Sequence, residues 1–197
     1  MRHRPASTRA WLFCALSLLG VHAAFATEYV ITADPALSTV QFTIADVLHT
    51  VHGMFKVQSG TIRFDPATGA AAGQVVVDVP SGNSGNPSRD HRMHKEILQS
   101  QTYPEAVFAP DHVTGTFSPQ GSSELQVHGT LTIHGGKHEV TLPANVHVEN
   151  GVLKADARFV LPYVEWGMKN PSNFVLRVDE KVDLNLHLVG VISRAAS

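Results

Sequence analysis

The sequence predicts an all-β, mainly antiparallel barrel with one amphipathic helix between strands. In residues 124–149, apolar and polar side chains alternate almost without interruption, as they do on strands that bury one face. Similar short segments recur along the chain between Gly, Pro, Asn and Asp, and they suggest about eight to ten strands. One stretch after the polar loop 81–87 has helical spacing instead. An antiparallel barrel and a sandwich both fit this pattern, and a closed barrel is favoured because closure removes the exposed edges of an antiparallel sheet.

The first 26 residues are typical of a secretory signal peptide. Basic residues precede an apolar run at 10–21, and Ala24 and Ala26 fit the small-x-small cleavage rule. The run is short for a membrane span, and a single-pass anchor is the less favoured interpretation. We therefore expect a signal peptide at 1–26, a single mature domain at 27–197, and export, most simply to a bacterial periplasm.

The composition of the mature chain excludes several classes of site. Cys14 is the only cysteine and lies in the predicted signal peptide, so neither a disulfide framework nor a thiolate metal site is expected. Loss of Arg2, Arg4 and Arg9 leaves twelve basic against seventeen acidic residues, a formal charge of −5 with neutral His. This charge argues against nucleic acid as a partner. No stable membrane span is expected after cleavage, and monomer and homodimer both stay open.

The predicted strands follow one another with clear turn signals, such as the one at 65–69. Each strand is marked by apolar residues at alternate positions: Tyr29 and Ile31; Val40, Phe42 and Ile44; Phe55 and Val57; Ile62 and Phe64; Val75, Val77 and Val79; Val113 and Phe117; Leu125 to Ile133; Val140 to Val148; Ala155 to Leu161; Phe174 to Val178; and Val182 to Leu188.

Gly135 and Gly136 predict a tight hairpin within the longest alternating region, because the favoured two-residue turns need positive φ. If these two residues form the turn, Leu131 lies opposite Val140, and His138 faces inward opposite Ile133 near the barrel mouth. Several inward positions carry small residues, which suggests that the interior is not packed solid: Gly115, Gly129, Ala144, Ala155 and Ala157.

The predicted helix starts after the polar loop, with Ser88 as its N-cap and Asp90 in the first turn. Met93, Ile97 and Leu98 form its apolar stripe, and Tyr103-Pro104 ends it. Such a helix is expected to lie over an end or side of the barrel.

Motifs in their order along the chain resemble the YceI-like family. They are residues 53–55 (GMF) with 60–65 (GTIRFD), 88–94 (SRDHRMH) with Tyr103-Pro104 and Phe108, 127–135 (VHGTLTIHG) and 166–168 (WGM). The resemblance implies an extended, eight-stranded, lipocalin-like barrel that binds long polyisoprenoid lipids in an apolar lumen and that is commonly periplasmic. Two positions depart from the family pattern: Asp46 stands where many members have histidine, and Tyr163 stands where many have arginine.

We therefore predict a periplasmic carrier that holds a polyisoprenoid or similar long apolar lipid, such as a quinone-like molecule, without a cofactor. An ordinary solid core is the alternative for the interior, and a solid-cored interaction module is the corresponding alternative function. The candidate lumen residues are Phe42, Phe55, Phe64, Met93, Ile97, Phe117, Leu131, Phe159 and Leu186. The candidate polar or headgroup residues are Arg89, Asp90, His94, His138 and Tyr163.

Enzymatic and metal-binding functions are less favoured by the sequence. The chain has no Gly-x-Ser-x-Gly, P-loop or GxGxxG motif, so we predict no catalytic residues. A periplasmic enzyme acting on an apolar substrate would use the region of Arg89, Asp90 and His94. His91 and His94 are three residues apart on the predicted helix and could share a face. A metal site needs three or four converging ligands, so no metal site is predicted, and a metal-binding protein would have to use this pair.

Overall fold

The computed structural model describes residues 28–45, 49–172 and 177–195 and confirms the predicted antiparallel barrel. The predicted signal peptide, Asp46 and most of the predicted strand Phe174 to Val178 lie outside the described residues. The strands are β1 (Tyr29–Ala33), β2 (Thr39–Ala45), β3 (Thr50–Phe64), β4 (Ala71–Asn83), β5 (Glu105–Gly115), β6 (Gly121–Ile133), β7 (Gly136–Glu149), β8 (Val152–Leu161) and β9 (Val182–Arg194). A helix, α1 (Pro87–Arg92), continues into a π-helical turn, Met93–Ile97.

These strands fill eight positions around the barrel, because β1 and β2 share one position between β3 and β9. The chain leaves the sheet between β1 and β2. There the buried hydroxyl of Ser38 makes the hydrogen bonds to β9 that a paired strand residue would otherwise make. Its Oγ donates to the Val189 carbonyl (3.1 Å) and accepts from the Val189 N–H (3.0 Å). At the start of β1, Tyr29 pairs with both Phe64 and Arg194, so the two ends of the domain are adjacent.

Two predicted segments, at Phe55–Val57 and at Ile62–Phe64, are parts of the single strand β3. Their inward residues are odd-numbered in the first part and even-numbered in the second. The register shifts between Val57 and Ser59, where β3 carries one residue more than β4. Such a bulge reverses which parity faces inward, and this explains why an unbroken strand resembles two in the sequence.

The β6–β7 hairpin is present, but its predicted register was wrong by two residues. The turn is formed by His134 and Gly135, which have φ of 49° and 77°. Leu131 therefore lies opposite His138 rather than Val140. A shift of two residues leaves each side chain on its predicted face, because the side-chain period of a strand is also two.

The helix begins two residues earlier than predicted and is shorter. Asn86, not Ser88, is the N-cap, and its side-chain oxygen accepts from the Arg89 N–H at 3.1 Å. Pro87 occupies the first turn, where its missing N–H costs nothing. Among the described residues, no helix is long and apolar enough to cross a bilayer.

The barrel interior has two different halves. In the half near the chain ends, apolar side chains pack into a continuous core that includes Val57, Val148 and Leu153, each at most 3% exposed. Its end is closed by the rings of Tyr29, Phe64 and Phe117, with Phe117 at 5.3 Å from Tyr29 and 5.4 Å from Phe64 between centroids. We call this part the closed half. The other half, beneath α1, contains the cavity described next.

Candidate ligand-binding cavity

The open half of the barrel contains an apolar cavity of about 580 Å³. This volume lies in the range of ordinary small-molecule sites. Inward residues of β2–β9 form the walls, and α1 with its π-helical turn covers one side. The apolar wall includes Val40, Phe42, Ile44, Phe55, Val75, Val77, Phe108, Leu131, Ile133, Val140, Leu142, Ala157, Phe159, Leu161, Val182, Leu184 and Leu186.

Two glycines that were not among the predicted lumen residues make room for the aromatic part of this wall. Phe42 and Phe55 lie with their ring centroids 5.4 Å apart. A Cβ on Gly53 would come within 2.3 Å of the Phe42 ring, and one on Gly82 within 2.3 Å of the Phe55 ring. Both values are far below van der Waals contact, so the rings occupy the space that side chains at these glycines would need. Gly53 belongs to the GMF motif, and its packing against Phe42 explains why this position needs a glycine.

The π-helical turn places the predicted stripe residues Met93 and Ile97 in the cavity lining. Its wider hydrogen-bonding pattern is closed by the Leu98 N–H, which donates to the Met93 carbonyl at 2.9 Å. Turns of this kind are often found at functional sites. Leu98 also lines the cavity, so the predicted apolar stripe faces the barrel interior.

Most of the polar lining belongs to one segment, residues 84–92. Arg89 is held there by Ser84, whose hydroxyl oxygen accepts from Nε and whose carbonyl accepts from Nη2, both at 2.8 Å. Asp90 accepts from the Ser84 N–H at 2.9 Å and from its hydroxyl, but it does not line the cavity. Asn86, Ser88 and Arg89 are exposed, which marks this segment as the rim where the cavity meets solvent.

Tyr163 is the remaining polar group of the lining and is buried. Its hydroxyl donates to the Asp179 carbonyl at 2.7 Å. Burial, with smaller contributions from Glu180 and Asp179, raises the pKa of Tyr163 to about 12. The phenol therefore stays neutral at ordinary pH and is tied to the segment before β9.

The predicted lumen residues fall into two groups. Phe64 and Phe117 lie outside the cavity, in the closed half, where they pack against each other and leave no space between their rings. The cavity lining contains Phe42, Phe55, Met93, Ile97, Leu131, Phe159 and Leu186, together with Arg89 and Tyr163 from the polar set.

His94 and His138 are not part of the lining. His94 has both ring nitrogens engaged: Nε2 lies 2.8 Å from the Gly82 carbonyl, to which it donates, and Nδ1 lies 3.0 Å from the Ser100 hydroxyl. This arrangement leaves no ring nitrogen for a metal ion or for proton transfer. His138 stacks on Trp166 with a centroid distance of 3.7 Å and an interplanar angle of 3°.

A different group of potential metal ligands lies on the outer surface, where the alternation predicts a solvated His128. Asp111, His128 and Glu139 come from neighbouring strands, and one ligand atom of each lies within 4.8 Å of the others. However, His128 Nδ1 is 2.7 Å from Asp111 while Nε2 is 3.5 Å from Glu139. The carboxylates face different nitrogens of one ring, which suits an ion pair better than a shared ion. His91, the other half of the predicted pair, is exposed.

This ion pair predicts a pH-dependent contribution to stability. The hydrogen bond from His128 to Asp111 raises the pKa of the imidazole above its ordinary 6.5, with further help from the charges of Asp111 and Glu139. A raised folded-state pKa means that the contribution is complete below about pH 6.5 and is lost as the pH rises through the folded value. The difference in unfolding free energy between wild type and His128→Gln should therefore shrink from about pH 5.5 to about pH 8.5.

Urea denaturation across this range measures the effect. Asp111→Asn is the matched control, because it keeps the imidazole and removes its main partner, and it should flatten the same dependence. A difference that grows with pH would contradict the assignment.

Comparison with known proteins agrees with the architecture and the motifs. The family model for the YceI-like domain matches residues 31–190. A UPF0312 protein of Pseudomonas savastanoi pv. phaseolicola is 28% identical over 192 residues, covering 92% of this chain and 95% of that protein. A second, from Pseudomonas putida (strain W619), is 29% identical over 194 residues, covering 93% and 96%.

Solved structures share the same fold. A polyisoprenoid binding domain from Saccharophagus degradans superposes with a TM-score of 0.67 at 18% identity, covering 84% of this chain and 98% of that one. BcnA of Burkholderia cenocepacia superposes with a TM-score of 0.65 at 23% identity, covering 80% and 98%. At these identities the likeness concerns the fold.

Proposed function

This chain belongs to the family of YceI-like domains, and from that premise we propose that it binds a polyisoprenoid or a similar long apolar lipid in its barrel cavity. The single observation that carries the proposal is the apolar cavity of about 580 Å³, whose wall is built almost entirely from aliphatic and aromatic side chains. The description of the Saccharophagus degradans domain as polyisoprenoid-binding supports the same class of ligand.

The energetics of such a site suit a hydrocarbon chain. Each CH₂ group that moves from water into an apolar cavity contributes about 0.8 kcal/mol. A chain of several isoprene units therefore needs few polar contacts for tight binding. The inner wall has almost no polar groups, which agrees with a ligand that needs few polar contacts. It also argues for binding rather than for chemistry on the ligand.

The headgroup is proposed to lie at the rim, against Arg89 and Tyr163. Two N–H groups of the Arg89 guanidinium are taken by Ser84, and the guanidinium has further donors for an oxygen atom of a ligand. Asp90 and His94 act indirectly in this proposal: Asp90 anchors Ser84, and His94 anchors the strand end at Gly82. His138 stacks on Trp166, whose ring centroid lies 5.9 Å from that of the cavity-lining Phe159.

The signal-like N-terminus supports a periplasmic location, and a carrier or sequestering role follows from the two together. A lipid that crosses an aqueous compartment needs its hydrocarbon chain shielded, and the cavity offers that shield. We propose no reaction, because catalysis in this region would depend on His94 and both of its ring nitrogens are engaged.

Native mass spectrometry of gently purified, periplasmically expressed protein tests the proposal. We expect a fraction of the protein to carry a mass that organic extraction identifies as an isoprenoid or quinone-like lipid. Delipidated protein should take up a quinone and a polyprenyl phosphate offered in parallel, and the tighter of the two then defines the headgroup class. Protein that is always empty and that takes up neither compound would overturn the proposal.

A further inference from the structure

We propose that a floor of packed side chains across the middle of the barrel sets the maximum length of the apolar chain that the cavity accepts. The inference rests on the proposed lipid-binding function and adds a determinant of specificity to it. The floor is the boundary between the cavity and the closed half.

This boundary can be located on several strands. Along β7, the inward residue Leu142 lines the cavity, while the next inward residue, Ala144, belongs to the buried core. Along β9 the same change occurs between Leu186 and Leu188. On β3 it occurs between Phe55 and Val57, which is only 2% exposed. Because the lining stops at a core residue on strands from different sides of the barrel, packed side chains close the cavity at this end.

The closed half beneath the floor has no room for a chain to continue. Val57, Val148 and Leu153 are at most 3% exposed, and the rings of Tyr29, Phe64 and Phe117 close the end beyond them. Within the described residues, a lipid tail that enters at the rim therefore stops at the floor and does not pass through the barrel.

Two residues at the end of the cavity are suited to test how its depth limits the length of the ligand. Ala157 lines the cavity and pairs across the sheet with Ala144, which lies in the core. Its methyl group thus marks the last accessible space on β8. Leu142 is the last cavity-lining residue on β7 and is only partly buried. A larger side chain at Ala157 raises the floor, and a smaller one at Leu142 lowers it.

The test uses n-alkanols of increasing length, titrated against delipidated protein. For wild type, each added CH₂ should tighten binding about fourfold until the tip reaches the floor, after which affinity levels off. Ala157→Leu should reach this plateau about three carbons earlier, the number of carbons that leucine adds. Leu142→Ala should reach it about three carbons later. Val160→Leu is the matched control, because Val160 is 52% exposed on the outer face of β8 and should leave the plateau unchanged.

The outcomes separate the two proposals. Alkanols that bind to wild type but give the same plateau in both lumen variants would overturn the floor while leaving lipid binding intact. Wild-type affinity that does not rise with chain length at all would overturn both. If Ala157→Leu fails to fold, Leu142→Ala alone decides, since a plateau that does not move to longer chains contradicts the inference.

Discussion

Gly82→Ala is expected to weaken binding of an apolar ligand about tenfold or more while lowering the free energy of unfolding by only about 1 kcal/mol. The new Cβ would lie 2.3 Å from Cε1 of Phe55 and 2.9 Å from Cε of Met93. Both atoms are the far ends of side chains that line the cavity. Because both side chains line the cavity, their displacement takes up space that the ligand would fill. We therefore expect ligand affinity to fall more than the free energy of unfolding.

Ligand titration together with urea denaturation separates these two effects. Phe55→Leu in the Gly82→Ala background should restore part of the affinity, because leucine lacks the ring atom Cε1 that lies closest to the new Cβ. Gly53→Ala is the comparison: its Cβ would also meet the backbone oxygen of Asn83 at 2.6 Å. A backbone atom cannot swing aside as a side-chain end can, so that variant should lose more stability. Unchanged affinity in Gly82→Ala would show that the Phe55 ring does not border the ligand.

Phe159→Gln is expected to weaken lipid binding roughly ten- to a hundredfold, the equivalent of about 1.5–3 kcal/mol for one large apolar side chain. Phe159 lines the cavity and contacts the Trp166 ring at a centroid distance of 5.9 Å. Glutamine keeps a long side chain at the position but presents an amide to the hydrocarbon chain, and the amide loses its water when the ligand binds.

The neighbouring residue provides the control for this prediction. Val160 is 52% exposed and faces the opposite side of the same strand. Val160→Gln therefore changes the composition of β8 equally but leaves the cavity wall intact, and its affinity should match that of wild type. Both variants can be measured by displacement of a fluorescent fatty acid. Equal affinities in the two variants would place the ligand away from β8.

The alternation of residues predicted the strands, because burial of one face leaves a period of two along every strand. The barrel was then favoured because closure removes exposed edges. The same pattern could not determine register in the β6–β7 hairpin, since a shift of two residues preserves it. The pattern also could not determine how far along the barrel interior each inward residue lies. Phe64 and Phe159 are both inward aromatic residues, yet one closes the packed half and the other lines the cavity. Whether an inward residue lines the cavity or packs in the core depends on the side chains across the barrel from it. These neighbours are set only when the barrel closes.

Small inward residues predicted the cavity at some positions but not at others. Ala157 does border the cavity. Gly129 does not, because a Cβ there would come within 2.3 Å of the Ala109 carbonyl oxygen on the adjacent strand. Its small size serves the close approach of two backbones rather than a ligand. Gly53 and Gly82, which do shape the cavity wall, act through the aromatic rings that lie over them, and that contact is invisible in the sequence.

The pairing of Tyr29 with Arg194 has a practical consequence for the orientation of the domain. The Ala195 N–H donates to the Glu28 carbonyl at 2.8 Å, so both ends of the described domain meet beyond the closed half, on the side away from the rim. A protein attached to a bead, a sensor chip or a membrane through either end would present its opening outward, towards whatever donates or receives the cargo. Attachment through either end of the domain should therefore leave the cavity opening accessible, as it is in the freely diffusing protein.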